Sequence, residues 1–295
     1  MKKSLISYSI ALASMAAMTG CGGSSNDSGT GTLNLSITDG AIDSAKNVFV
    51  TFSGVEVGSQ QFDFDEPKKI DLLDLQGSAS APLLEGVVLD AGSYQGMRLK
   101  VVTDGDLDTY IVLDNDDAYE LDIPSGSTSG LKLNRNFDIS VNGTVNFTID
   151  FDLRKSITVS SPNSGTPNYK LRPTLRITDN SEIGHVKGLV DGTLLTSVCG
   201  DNVSHAVYIF DGSGAVPNDE NVEVSPVISP VASSLLDDLG NYEIGFLNAG
   251  NYTLALTCTA DLDDPELDDD FVFVQQANVT IESKNTTTYD FELSN

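Results

Sequence analysis

The segments Leu33-Asn34-Leu35-Ser36-Ile37 and Val48-Phe49-Val50-Thr51-Phe52 carry apolar residues at every second position. The same period of two recurs from Val145 to Phe151. Because successive side chains of a β-strand point to opposite faces of its sheet, this period is typical of half-buried strands. Turn dipeptides separate such runs, namely Asp39-Gly40, Asp104-Gly105, Asn142-Gly143 and Asp211-Gly212. Many short strands with regular turns predict an all-β protein of sandwich type.

Helical patterns are weak in this chain. Residues 71–76 and 233–239 could each form one or two helical turns, and we find no convincing amphipathic helix. The alternation of strands and helices that a βαβ fold requires is therefore missing.

A six-residue pattern occurs twice. Leu89-Asp90-Ala91-Gly92-Ser93-Tyr94 recurs as Leu247-Asn248-Ala249-Gly250-Asn251-Tyr252, and each copy leads into an apolar alternating strand. Glycine allows a positive φ in the turn, and the tyrosine hydroxyl can bond the backbone as in a tyrosine corner. Two copies predict two tandem β-sandwich domains, which we place at residues 32–180 and 184–295.

The stretch from Gly31 to Thr178 resembles the domain-of-unknown-function 4382 family, which is found in envelope lipoproteins. One departure is Gly40-Ala41 after Asp39, where the family often has Ala-Pro. The resemblance implies a fold and an envelope location, and it implies no activity. The matching segments are Gly31-Thr32-Leu33, Ser36-Ile37-Thr38-Asp39, Val48 to Val55, Ile70-Asp71-Leu72-Leu73, Leu89 to Tyr94, Ile149 to Ser156, and Tyr169 to Pro173.

The repeated corner and the opening strand Val186 to Val190 resemble parts of transthyretin-like and carboxypeptidase regulatory-like domains. This resemblance implies a transthyretin-like or Ig-like sandwich for residues 184–295, with carbohydrate binding as the natural functional analogue. Sugar-binding platforms usually expose aromatic side chains, yet this chain has no Trp. Four tyrosines lie in strand-like runs, where we expect them to pack in the core and not to form a sugar-binding platform. They are Tyr110, Tyr119, Tyr208 and Tyr289.

The first twenty residues have the pattern of a secretory signal peptide. Lys2 and Lys3 precede a charge-free, mostly apolar run from Leu5 to Met18. That run is shorter than the roughly 20 apolar residues that a membrane-spanning helix needs. We therefore predict that residues 1–20 are a cleaved signal and exclude them from the fold.

Met18-Thr19-Gly20-Cys21 resembles the lipobox of bacterial lipoproteins, although Met18 replaces the usual leucine. The resemblance implies cleavage before Cys21, a diacylglyceryl group on its sulfur and acylation of the new amine. Several acyl chains make a stable membrane anchor. Residues 21–31 then form the lipid-bearing, flexible tether. Inner-membrane lipoproteins tend to carry Asp directly after the lipid-bearing cysteine, whereas this chain has Gly22. The resemblance therefore implies that the protein is sorted to the outer membrane, on either its periplasmic or its outward face.

The chain is strongly acidic, with a formal net charge of −27. Removal of the signal deletes Lys2 and Lys3 and no acidic residue, so the mature chain is more acidic still. Nucleic-acid binding relies on basic side chains that neutralise phosphates, and contact with anionic lipid headgroups also needs them. The composition therefore excludes nucleic acid as a partner and leaves the lipid as the expected membrane contact.

Three cysteines are present. If Cys21 carries lipid, Cys199 and Cys258 remain as a pair in an oxidising compartment. A disulfide between them would close a loop of about 60 residues and could add about 4 kcal/mol of stability in the chain-entropy model. We predict this disulfide.

No catalytic residue is predicted. The two histidines are His185 and His205, and the chain has no G-x-S-x-G, H-E-x-x-H or C-x-x-C motif. An enzyme would require one of these histidines to lie in a cleft beside a carboxylate and a hydroxyl. Asp150 and Asp152 would share one face of a strand with Arg154, where we expect a solvent-facing charge ladder.

Calcium is the one cofactor that the sequence suggests. Asp104, Asp106 and Asp108 have the spacing of a calcium loop, but the rest of the EF-hand pattern fails. A denser cluster is the preferred calcium site, because calcium takes 6–8 oxygen ligands in irregular geometry. Its carboxylates are Asp261, Asp263, Asp264, Glu266, Asp268, Asp269 and Asp270. The alternative is a hydrated hairpin loop.

These observations favour a non-enzymatic, lipid-anchored envelope protein that binds or scaffolds, with a glycan or a protein as ligand. A structural surface subunit of pilin type is one alternative, and a calcium-organised adhesion module is another. Self-assembly would favour the structural subunit, whereas a monomer that binds glycan or peptide would favour the leading hypothesis. The oligomeric state is left open.

Overall fold

The computed structural model describes residues 29–39, 45–103, 105, 107–124, 130–160, 167–200, 204–219, 229–264 and 272–293. About 63% of it is strand and 8% helix, and the fold is an all-β sandwich, as the alternating pattern predicts. None of the helices in these ranges has the length and apolar character of a membrane-spanning segment. The predicted signal peptide, Cys21 and the tether up to residue 28 lie outside the described residues.

Twelve strands of the described residues form what we call the N-terminal half. They are β1 Thr30–Asp39, β2 Ala45–Val57, β3 Gln60–Asp71, β4 Ala81–Asp90, β5 Gly92–Val101, β6 Tyr110–Leu113, β7 Ala118–Asp122, β8 Leu131–Ile139, β9 Thr144–Asp152, β10 Ile157–Ser160, β11 Asn168–Leu171 and β12 Thr174–Asp179.

Seven further strands, again among the residues that the structure describes, form what we call the C-terminal half. They are β13 Ile183–Leu189, β14 Ala206–Asp211, β15 Ala232–Leu235, β16 Asn241–Asn248, β17 Gly250–Thr257, β18 Phe273–Ile281 and β19 Thr286–Thr288.

In the described residues, helical structure is limited to short turns. The structure has 3-10 turns at Leu72–Leu75 and Ala260–Leu262, a helical turn α1 at Leu153–Ser156, and α2 at Gly192–Leu194, which continues as one π turn over Leu195–Cys199. The predicted turn at residues 71–76 thus coincides with a helical turn. The predicted helix at residues 233–239 is wrong, because Ser233 and Ser234 pair with β14 as part of β15.

In the N-terminal half, two sheets face each other. Their strand orders are β12-β9-β1-β4 and β10-β11-β7-β6-β2-β5-β8. In the larger sheet β2 also pairs with β3, antiparallel. β1 and β9 run parallel at the centre of the smaller sheet. The core between the sheets includes Phe52 and Phe151, whose rings meet edge to face with centroids 6.1 Å apart.

The C-terminal half repeats this layout with a three-stranded sheet, β16-β13-β19, and a four-stranded sheet, β15-β14-β17-β18. Its core contains Val186, Ile209, Leu254 and Phe291, none of which is more than 1% exposed. Within the described ranges, every strand pair belongs to one half or the other. Residues 180–182 connect β12 to β13.

The repeated six-residue pattern forms the same corner in each half. In one copy the chain passes from β4 to β5, in the other from β16 to β17, and each time it changes sheet. The Tyr94 hydroxyl donates to the Asp90 carbonyl at 2.8 Å, and the Tyr252 hydroxyl donates to the Asn248 carbonyl at 2.8 Å. Each tyrosine therefore fastens its corner to a carbonyl four residues upstream, as in a tyrosine corner.

Replacement of Phe151 by Ala tests the core of the N-terminal half. We expect Phe151→Ala to lower the free energy of unfolding by about 3–5 kcal/mol, because a fully buried ring is lost and a cavity remains. The control is Val88→Ala, since Val88 is 60% exposed and should matter by no more than about 0.5 kcal/mol. Urea unfolding measures both variants, and equal losses would contradict this description of the core.

Candidate functional site

The two halves meet through a charged side chain that leaves one half and enters the other. β9 ends at Asp152, whose side chain accepts a hydrogen bond from the Lys155 backbone N–H at 3.2 Å and so caps α1. This capped turn points Arg154 towards the C-terminal half, and the Arg154 side chain is only 5% exposed.

The C-terminal half surrounds the Arg154 guanidinium with oxygen atoms. Arg154 Nη1 donates to the Tyr208 hydroxyl at 2.8 Å and to the Ala260 carbonyl at 2.9 Å. The Tyr208 hydroxyl in turn donates to Asp263 Oδ2 at 2.6 Å, and that oxygen lies 3.6 Å from Arg154 Nη1. The side chain of Asp263 is fully buried. The charge on Arg154 is therefore neutralised and hydrogen-bonded away from water, which a buried charge requires.

Lys155 makes a second contact between the halves. Its ammonium group donates to the Pro230 carbonyl at 2.9 Å and pairs with Asp152 Oδ2 at 2.8 Å. The Lys155 side chain is 9% exposed, so this contact is also largely removed from solvent.

A third contact is steric. Thr38 donates its hydroxyl to the Leu75 and Ala79 carbonyls and so fixes the loop that presents Gly77. A Cβ atom added to Gly245 would lie 2.0 Å from the Gly77 carbonyl oxygen. No side chain larger than hydrogen fits at Gly245 while the two backbones keep this approach.

Gly245 belongs to a β-bulge in β16. One residue of β13, His185, lies opposite two residues of β16, Gly245 and Phe246. Phe246 has a φ of 52°, an uncommon conformation for an aromatic residue. The bulge bends β16 towards the Gly77 loop. We call the contacts of Arg154, Lys155 and Gly77 with the C-terminal half the joint.

The histidines take structural roles. His185 Nδ1 accepts a hydrogen bond from the Phe246 N–H at 3.3 Å, and its ring meets the Phe246 ring edge to face. Burial lowers the pKa of His185, and the nearby Glu243 carboxylate opposes this shift. Burial also lowers the pKa of His205. Both rings are therefore biased towards the neutral form.

A groove of about 710 Å³ lies beside the joint and is lined by both halves. The N-terminal half contributes Gln76 and Gly77. Its apolar lining includes Leu235 and Leu236. The polar residues that line it are Gln76, Lys187, Ser234, Asp237, Asn241, Tyr242, Glu243, Thr288 and Asp290. Polar residues therefore outnumber the leucines of the lining.

Cys199 and Cys258 are joined by a disulfide, with their Cα atoms 5.2 Å apart. Cys199 ends the π turn and Cys258 directly follows β17. Cys258 is two residues before Ala260, whose carbonyl binds Arg154. The disulfide therefore lies beside the joint.

The predicted calcium cluster is only partly described. Asp261 and Asp264 are exposed, whereas the Asp263 side chain is buried in the joint. Glu266, Asp268, Asp269 and Asp270 lie outside the described residues, as do Asp104 and Asp106. In the described part of the chain, no group of three or more His, Cys, Asp or Glu side chains is arranged to hold a metal ion.

The predicted charge ladder of Asp150, Asp152 and Arg154 is wrong. Asp150 is 9% exposed and accepts two hydrogen bonds from Arg176 of β12. Asp152 caps α1, and Arg154 lies in α1 rather than in β9. The strand ends two residues earlier than the ladder requires, so the three side chains do not share a solvent-facing surface. The only sequence signal for the joint was the charge of Arg154 and Lys155 next to a buried strand.

Substitution of Gly245 tests the steric part of the joint. We expect Gly245→Ala to lower the free energy of unfolding by about 1–3 kcal/mol, because the new methyl group overlaps the Gly77 carbonyl. The matched control is Gly192→Ala, which adds the same methyl group where no atom lies within 4 Å. Urea unfolding of the two variants separates these cases, and a harmless Gly245→Ala would mean that the halves do not pack at this point.

No protein with a curated description matches this chain. Among solved structures, the chain is similar to the Bacillus anthracis TIE protein at 13% identity and a TM-score of 0.23, over 90% of this chain and 34% of that one. The chain thus spans about a third of the TIE protein.

Two pilin structures are also similar. One is GBS52, the minor pilin of Streptococcus agalactiae, at 12% identity and a TM-score of 0.21, over 88% of this chain and 94% of that one. The other is BcpA, the major pilin subunit of Bacillus cereus, at 11% identity and a TM-score of 0.21, over 89% and 98%. At these TM-scores the likeness carries no argument about function. Residues 30–173, just under half of the chain, match the family model described as "Domain of unknown function (DUF4382)".

Proposed function

We propose that this chain is a non-enzymatic envelope protein, held at the outer membrane by lipid on Cys21, that binds a ligand at the groove between its two halves. The observation that carries the proposal is that both halves line this groove, which includes Gly77 of the joint. A groove shared by two sandwiches keeps its shape only if the sandwiches keep their relative position. The joint supplies that constraint.

The roles of the histidines support a non-enzymatic protein. General acid–base catalysis needs a group that can reach a substrate proton. His185 Nδ1 is occupied by the Phe246 N–H, and its ring packs on Phe246. His205 Nε2 is buried, and no hydrogen-bond partner for it is found in the described residues.

The groove suits a glycan or an extended polypeptide. Its leucines offer apolar contact, while Gln76, Lys187 and Glu243 add an amide, an ammonium and a carboxylate. Glycans and peptide backbones both present many hydrogen-bonding groups close to apolar surface, which such a lining can match.

The exposed sheet edges favour a binding protein over a self-assembling subunit. Lys68 donates to the Pro82 and Leu83 carbonyls on the edge of β4. Arg135 donates to the Ile177 carbonyl on the edge of β12. Cationic side chains on edge strands oppose pairing with the edge of another chain.

Calcium remains a proposal for the acidic segment that follows the joint. The Asp263 carboxylate accepts a hydrogen bond from Tyr208 and pairs with Arg154, so the other carboxylates of the cluster would have to coordinate the calcium ion. A rise in melting temperature with calcium but not with magnesium, lost when Asp268, Asp269 and Asp270 are changed to Asn, is the measurement that tests this proposal.

Binding at the groove can be tested with glycan and peptide arrays. We expect the wild-type protein to bind a defined set of glycans or peptides, and Lys187→Glu to weaken that binding at least tenfold by reversing a charge on the lining. The matched control is Lys284→Glu, which makes the same change at an exposed residue outside the lining. Equal binding by both variants, or no binding at all, would contradict the proposal.

Anchoring is tested separately. We expect Cys21→Ser to move the protein from the membrane fraction to the soluble fraction, because serine cannot carry the thioether-linked lipid. Fractionation of cells followed by immunodetection measures this shift. A Cys21→Ser chain that still sediments with membranes would show that another feature holds it there.

A further inference from the structure

One short segment of the C-terminal half supplies both acidic and carbonyl acceptors for Arg154. This receptor segment, residues 258–263, contains the Ala260 carbonyl and the Asp263 carboxylate. Ala260 and the side chain of Asp263 are completely buried, and Cys258 is 6% exposed. The third partner of Arg154, the Tyr208 hydroxyl, comes from the centre of the four-stranded sheet.

The receptor segment lies beyond the strand ladder that precedes it. The last residue of β17, Thr257, still pairs with Ala206 of β14 and with Phe273 of β18. After Thr257, the one backbone-to-backbone hydrogen bond from the segment to another described residue runs from the Ala260 N–H to the Ser204 carbonyl at 3.1 Å. Side chains add the bond from the Tyr208 hydroxyl to Asp263 and the bond from the Thr259 N–H to the Thr257 hydroxyl, and the Asp263 N–H bonds the Ala260 carbonyl within the segment at 3.3 Å.

The disulfide is the covalent tie of this segment. It joins the first residue of the receptor segment, Cys258, to Cys199 at the end of the π turn, 59 residues earlier in the chain. A buried guanidinium is stable only while its acceptors stay in place, because a displaced acceptor leaves the charge unpaired. A segment with few backbone ties needs such a restraint more than a strand does.

We infer that the Cys199–Cys258 disulfide is a positioning element of the joint, and that its reduction separates Ala260 and Asp263 from Arg154 while the other contacts of the joint stay in place. The disulfide holds Ala260 and Asp263 where they receive Arg154. The inference goes beyond the proposed function and holds whether or not the protein is anchored in a membrane.

The reduction step needs an external dithiol. One thiolate of the dithiol attacks a sulfur of the disulfide, which forms a mixed disulfide and frees one cysteine. The second thiolate of the dithiol then attacks the mixed disulfide and frees the other cysteine. Two electrons and two protons pass to the protein, which leaves Cys199 and Cys258 as thiols and the reagent as an intramolecular disulfide.

A thermodynamic cycle on the full chain in detergent tests the inference. Urea midpoints are measured for the wild type and Arg154→Met, each with the disulfide intact and each after reduction with dithiothreitol. We expect the drop in midpoint caused by Arg154→Met to shrink to less than half its size in the reduced protein, because the acceptors on Ala260 and Asp263 have already left Arg154 there.

The matched control is Lys155→Met, which removes the other basic side chain of α1. Lys155 binds the Pro230 carbonyl and not the receptor segment. Its effect on the midpoint should therefore be the same with and without the disulfide.

If Arg154→Met lowers the urea midpoint equally in both redox states, the inference is overturned. It is also overturned if the effect of Lys155→Met on the midpoint shrinks on reduction as much as that of Arg154→Met. If Arg154→Met does not fold, Tyr208→Phe takes its place in the cycle, because it removes only the hydroxyl between Arg154 and Asp263. For Tyr208→Phe too, we expect the drop in midpoint to shrink to less than half its size once the disulfide is reduced. An equal drop in both redox states would overturn the inference.

Discussion

The burial of one positive charge constrains the arrangement of this protein. Arg154 emerges from the N-terminal half at α1, yet the acceptors described for its Nη1 atom, on Tyr208, Ala260 and Asp263, belong to the C-terminal half. Loss of either partner in the closed interface would leave the other charge buried and unpaired, at a cost of about 3–5 kcal/mol. The relative position of the halves is therefore set by hydrogen-bond geometry and not by apolar contact alone.

Steric contact reinforces this charged contact. The Gly77 loop, fixed by Thr38, approaches Gly245 so closely that a side chain is excluded. Gly245 belongs to the β-bulge of β16, in which Gly245 and Phe246 lie opposite a single residue of β13, His185. Polar and steric contacts of this kind are sensitive to small displacements, and together they give the groove beside the joint a defined shape.

Local sequence patterns predicted the fold far better than the joint. The period of two placed β1, β2 and β9, and the repeated corner anticipated the hydrogen bonds of Tyr94 and Tyr252, because strands and corners depend on near neighbours. The joint depends on residues far apart in the sequence, such as Arg154 and Ala260, which are separated by 106 positions and which no local pattern relates. Asp263 looked like a calcium ligand for the same reason, since its partner Arg154 is distant in sequence. Residues 233–239 were misjudged because pairing with β14 outweighs local helix preference.

We infer that the joint makes the two sandwiches one cooperative unit. Differential scanning calorimetry of the oxidised protein measures this cooperativity. We predict a single transition whose calorimetric enthalpy equals its van't Hoff enthalpy, which is the criterion for two-state unfolding. Two separate transitions, or a van't Hoff enthalpy near half the calorimetric value, would show that each half unfolds alone and that the joint does not couple them.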